Sequence, residues 1–135
     1  MGVLAFAAFG LVDARADEPA VVATMRCERA AGPGRVKCAV EARATGGRSI
    51  AWADVALIGL PDFTSALKGR IGPADATLRE SSRQHWAFGL VARKPGEGEA
   101  LARVRLVVCE AAATDASAPK CLPMTVEVRA LVLVR

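Results

Sequence analysis

The chain has 135 residues, enough for one domain with a real core and too few for two comfortable ones. Its formal net charge of +4 is scattered, without any run of Lys or Arg, and aromatic residues make up only 4%. The clustered basic stripe of a nucleic-acid-binding surface is therefore missing, and no nucleic-acid partner is expected.

The N-terminus opens on an apolar run, Val3–Val12 (VLAFAAFGLV), of signal-peptide length and too short to span a bilayer. Ala14-Arg15-Ala16 then supplies small residues at the two positions a signal peptidase reads. Residues 1–16 are accordingly expected to be a signal peptide, cleaved before Asp17, with residues 17–135 as a single domain. Only Met1 and Gly2 precede the run, and neither side chain is basic, so the competing reading is a buried first strand or helix. No other stretch is long and apolar enough for a transmembrane segment. The expected location is the periplasm or the secreted space. Four cysteines, an even number, fit that route.

From Val21 the apolar residues alternate: Val21, Ala23, Met25 and Cys27 share a phase, with Thr24, Arg26 and Glu28 opposite. A second strand covers Arg35–Ala44, with Val36, Cys38, Val40 and Ala42 in phase. Between them Ala31-Gly32-Pro33-Gly34 is strong turn chemistry, because Gly permits positive φ and Pro fixes its own near −65°. A loop of those four residues places Ala30 opposite Arg35 and Cys27 opposite Cys38. Facing positions bring Cα atoms to about 4.5–5.5 Å, so a structural disulfide is expected there.

Gly46-Gly47 ends that strand. Ser49–Leu60 reads as a third strand with a bulge, since Ile50 and Trp52 share one phase and Val55 and Leu57 the other. Trp52 is expected in the core. After Pro61-Asp62, Phe63–Arg70 reads as a short strand, Ile71–Asp75 as a loop and Ala76–Glu80 as an edge strand. His85–Ala92 puts Trp86, Phe88 and Leu90 on one face. His85, the sole histidine, falls in the opposite phase with no nucleophile motif beside it and is expected at the surface. Lys94–Gly98 is expected to turn into the next strand.

The last third holds two further alternating runs, Leu101–Cys109 and Met124–Val134, joined by an Ala-rich loop with a cysteine at each end. Ala102, Val104, Leu106 and Val108 should face the core, as should Met124, Val126 and Val128. Setting Cys109 opposite Cys121 also sets Arg105 opposite Thr125 and Arg103 opposite Glu127, a sensible cross-strand charge pair. Both sulfurs then fall on the side away from the core. Seven or eight short strands with Gly/Pro turns indicate an all-β, antiparallel, immunoglobulin-like β-sandwich. It would not be an antibody-type domain, because the Cys…Trp…Cys spacing and the corner tyrosine are missing. Neither GxGxxG, P-loop nor HExxH patterns occur, and the cysteines form no CxxC element, so no cofactor or metal is expected.

On the stretch Val104–Val108, Cys109, loop, Cys121-Leu122-Pro123, Thr125–Val134, the chain resembles the N-terminal periplasmic domain of the DsbD thiol–disulfide reductase. The resemblance covers about thirty residues. It departs from the family in its longer loop, Glu110–Lys120, and in Met124 where a second proline is usual. Phe63 is the candidate, by position, for the family's aromatic cap. The resemblance implies a thiol–disulfide oxidoreductase passing electrons or disulfides to a protein partner, with Cys121 attacking and Cys109 resolving through a mixed disulfide. Local charge leans the same way, with Lys120 beside Cys121 and Glu110 beside Cys109. The competing expectation is a non-catalytic binding or accessory sandwich in which Cys109–Cys121 merely staples a loop.

Overall fold

The computed structural model describes residues 19–111 and 119–135. The expected signal peptide, residues 1–16, and most of the loop between Cys109 and Cys121 lie outside those residues. Nine strands follow in chain order: β1 (Val21–Cys27), β2 (Gly34–Ala44), β3 (Ser49–Gly59), β4 (Thr64–Ala66), β5 (Arg70–Ile71), β6 (Leu78–Arg79), β7 (Arg83–Ala92), β8 (Gly96–Cys109) and β9 (Cys121–Val134). Seven of them have three residues or more. One turn of 3-10 helix, Pro73–Asp75, is the only helical element among the described residues.

Alternation is why these segments are strands: side chains of successive residues point to opposite faces, so every second apolar residue can be buried. In β2, Val36, Cys38, Val40, Ala42 and Ala44 are buried while Arg35, Lys37 and Arg43 are exposed. In β8, Ala100, Ala102, Val104, Leu106 and Val108 do the same against Arg103 and Glu99. All neighbouring strands pair antiparallel. One sheet runs β1-β2-β7-β4, with β6 also on β7, and the other runs β5-β3-β8-β9. The six long strands thus take the A-B-E and C-F-G places of an immunoglobulin-like sandwich, with the short β4 and β5 on the outer edges. Trp86, Leu90, Leu106 and Val40 fill the space between the sheets.

The Cys27↔Cys38 pairing and the register around it are as the alternation predicts. Ala30, however, does not face Arg35. The chain leaves the ladder after Glu28, whose N–H still reaches Lys37 O at 2.8 Å, and crosses to the other sheet. There Ala30 bridges Val134: its N–H donates to Leu133 O at 3.0 Å and its carbonyl accepts from Arg135 N at 3.1 Å. Phe63–Arg70 is likewise not one strand. Gly69 and the Gly72-Pro73 break divide the region, and β4, β5 and β6 alternate between the two sheets. Lys68 Nζ (2.7 Å) and the Gly72 N–H (2.9 Å) donate to Asp75, holding its carboxyl below the usual carboxylate range and pinning this crossover. At the far end, β8 begins earlier than expected, because Gly96 and Gly98 join the ladder to β9. A Cβ on Gly96 would come within 2.7 Å of the Phe63 ring, so the buried ring needs glycine there.

Two predictions follow from this packing. Replacing Cys27 and Cys38 together with Ala removes a short-loop cross-link and should lower unfolding stability by about 3 kcal/mol in urea titrations. Gly96→Ala overpacks the Phe63 site and should cost about 1–3 kcal/mol by the same measurement.

Candidate functional site

Cys109 is the last residue of β8 and Cys121 the first of β9; they face each other and are joined by a disulfide with Cα atoms 3.9 Å apart. The next pair out, Glu110 and Lys120, is hydrogen-bonded, Glu110 N to Lys120 O at 2.8 Å. Antiparallel pairs alternate between hydrogen-bonded and non-hydrogen-bonded, so the cysteines occupy a non-hydrogen-bonded pair, where Cα atoms approach most closely. Cys27–Cys38 has the same setting, next to the Glu28–Lys37 bond and with Cα atoms 4.0 Å apart.

The two disulfides differ in where they lie. Cys38 is part of the core and Cys27 packs against it. Cys109 and Cys121 lie in the outward phase and belong to no part of the core cluster. Cys109 is 8% exposed, while Cys121 is open to solvent. One residue of the pair is thus presented and the other sheltered.

Beside the disulfide runs an apolar row across three strands: Trp52 faces Val107, which faces Pro123. Trp52 was expected in the core, and its placement corrects that reading. The register shifts between Ile50 and Trp52, so one extra residue, Ala51, inverts the phase. Ile50 therefore points in, Ala53 and Val55 point in, and Trp52 points out at 39% exposure.

Arg105 holds this row in place. Its guanidinium lies 5.6 Å from the Trp52 ring centroid and makes a two-pronged contact with Asp54, Nε to Oδ1 at 2.9 Å and Nη2 to Oδ2. Those hydrogen bonds, with the attraction of the carboxylate, raise the Arg105 pKa above its ordinary value. Asp54 is only 2% exposed and has a second cation, Arg70, at 3.8 Å. Next along, Arg103 and Glu127 pair at 3.1 Å, as the register predicts. The Asp54–Arg105 link was not read from the sequence. The available signal was an acid flanked by Ala53 and Val55 in an otherwise apolar strand.

Phe63 does not serve as a cap over the cysteines. It packs on Gly96 at the opposite end of β8, roughly 40 Å away along the strand. His85 lies on the other sheet, half-buried, with Nδ1 at 2.7 Å from Thr77 Oγ1. No cluster of three His, Cys, Asp or Glu side chains placed to hold a metal occurs among the described residues. No helix there is long and apolar enough to cross a membrane. The two disulfides fit an oxidising, exported environment.

No protein-family model and no curated protein matches this chain. Among solved structures it is similar to the ASH/PapD-like domain of human CEP192 (PapD-like domain 7), at 9% identity, covering 98% of each chain, with a TM-score of 0.47. It is also similar to BslA, a bacterial hydrophobin, at 9% identity, covering 86% of this chain and 94% of that one, with a TM-score of 0.37. The fold assignment stands on this chain's own strand order and register.

The Asp54 site generates a contrast. Arg103→Ala loses an exposed ion pair and should change stability by less than about 1 kcal/mol. Arg105→Ala leaves a buried carboxylate facing only Arg70, and should lower the thermal midpoint clearly further. It should also red-shift and broaden Trp52 emission, read in a Trp86→Phe background.

Proposed function

We propose that this chain is a periplasmic or secreted thiol–disulfide interchange domain that exchanges electrons with a protein partner through Cys109 and Cys121. One observation carries the reading: a disulfide off the core, with Cys121 open to solvent and Cys109 sheltered, beside an apolar platform of Trp52, Val107 and Pro123. Reactive cysteines need access, and a docking partner needs apolar surface next to the reacting sulfur. The hairpin's likeness to the DsbD N-terminal domain points the same way, with Cys121 bonding the partner and Cys109 resolving. Residues 1–16 would direct export and be removed before Asp17.

The exchange balances without any cofactor. A partner thiolate attacks Cys121 Sγ, a new intermolecular S–S bond forms, and the Cys109–Cys121 bond breaks with its electron pair on Cys109. A second partner thiolate then attacks the partner's own sulfur in the mixed disulfide and releases Cys121 as thiolate. The partner dithiol is oxidised to a disulfide, and the two cysteines here take up two electrons and two protons. In the reverse direction Cys121 attacks a partner disulfide and Cys109 resolves it. Lys120, next to Cys121, favours Cys121 as thiolate, the sulfur released last in one direction and the attacking one in the other.

The test is a glutathione titration with differential alkylation of each cysteine pair. Cys109–Cys121 should open at a potential at least about 100 mV above Cys27–Cys38, which should stay below about −300 mV as structural disulfides do. Cys109→Ala should trap a mixed disulfide through Cys121. If both pairs titrate together below about −300 mV, the chain is a binding or accessory sandwich with two staples.

A further inference from the structure

Strand β9 has 14 residues and forms a ladder only with β8; β1 packs close to part of its other edge, where Ala30 makes the one bridge, at Val134. The Glu110–Lys120 bond fixes which backbone groups point where. Since hydrogen-bonded pairs recur every second residue, the even-numbered residues of β9 bond to β8 and the odd-numbered ones face the open edge. The Ala30 bonds to Leu133 and Arg135 agree with this parity and occupy the last part of that edge. From Cys121 to Leu131, no described backbone group bonds the edge. Cys121, Thr125, Glu127, Arg129 and Leu131 each offer an N–H and a carbonyl there. Pro123 offers a carbonyl alone, which costs the β8 ladder nothing because its missing N–H lies on the outer side.

The first half of this strand is also incompletely covered on its core side. Leu122 is 60% exposed, and Met124 and Val126 are only half-buried, although all three sit in the inward phase. The other outer strands give a partner far less: β4, β5 and β6 have two or three residues each, and β1 has seven. A long strand edge with free hydrogen-bonding groups and uncovered apolar side chains is a template for one more strand.

We infer that the partner of the Cys109–Cys121 site is an extended segment of another protein that adds to this edge as an antiparallel strand, with a cysteine facing Cys121. This rests on the interchange reading above and names its substrate class. Cys121 presents both its N–H and its carbonyl to the edge, so the residue facing it forms a hydrogen-bonded pair. Cα atoms in such a pair lie about 5.5 Å apart, inside the range a disulfide spans. The same pairing lays alternate side chains of the segment over Leu122, Met124 and Val126, so those positions should be apolar. Strand addition thus places the attacking sulfur without any groove around Cys121.

The experiment uses the full chain and two short peptides of alternating valine and threonine, one with cysteine and one with serine at its centre. With the serine peptide, hydrogen exchange at the Cys121, Thr125 and Glu127 amides should slow at least tenfold. The Met124 and Val126 amides, already bonded to β8, should not change. With the cysteine peptide, the mixed disulfide through Cys121 should form at least tenfold faster than with glutathione, and Thr125→Pro, which removes one edge N–H, should abolish that advantage. Unchanged exchange at the three edge amides overturns the inference even if glutathione opens the disulfide. Edge protection that appears without peptide as protein concentration rises also overturns it, because the occupant is then a second copy. Edge protection by the serine peptide with a disulfide that neither thiol opens supports the strand-addition edge while sinking the interchange reading.

Discussion

The uninterrupted ladder between β8 and β9, running from Gly96↔Val134 to Cys109↔Cys121, is the constraint on which the other features depend. Because it carries no bulge, its parity is conserved over its whole length. That parity puts Ala100 through Val108 into the core on alternate positions, and lines up Arg103 with Glu127 on the outer face. It also delivers the two cysteines to a close, non-hydrogen-bonded pair at the end. A one-residue slip of β9 would turn the buried Val128, Ala130, Val132 and Val134 out to solvent, so the same apolar contacts that hold the sheets together hold the cysteines in register.

The core between the sheets is built mainly from small residues. Ala42, Ala53, Ala100 and Ala102 are fully buried, and the side chains larger than valine that are buried as completely are few: Trp86, Leu90 and Leu106. Small side chains let two sheets approach closely, but they leave little tolerance for added volume, as the contact of Phe63 with Gly96 shows. Some bulk lies outside. Trp52, turned out by the bulge at Ala51 and held beside Arg105 and the buried Asp54, is apolar area on the outer face.

What the sequence made legible was whatever depends on local alternation. The β1–β2 pairing follows from the phase of Val36, Cys38 and Val40 and from the intervening Gly/Pro turn. The β8–β9 register follows from the two cysteines and the charge pair. What it hid depends on contacts distant in sequence. The bulge at Ala51 exists because Ile50 and Ala53 must both face the core across from β8, and nothing within β3 says which residue is the extra one. Ala30 turns toward β9 because Leu133 and Arg135 offer free backbone groups over a hundred residues away. Asp54 is satisfied only because β3 and β8 bring Arg105 beside it. At the candidate site, the cysteines were found by type and spacing, whereas the tryptophan beside them was assigned to the wrong face.

Both disulfides join strands that follow one another in the chain, with sequence separations of 11 and 12, and neither links one sheet to the other. In a polypeptide that crosses a membrane from its N-terminus, Cys27 and Cys38 emerge together, well before Cys109. An oxidase that joins each new cysteine to the preceding free one therefore yields the native connectivity directly. No bond has to wait for a distant partner, and no isomerase is required to correct a first mistake. In a chain exported in that direction, oxidation would follow the order of its hairpins.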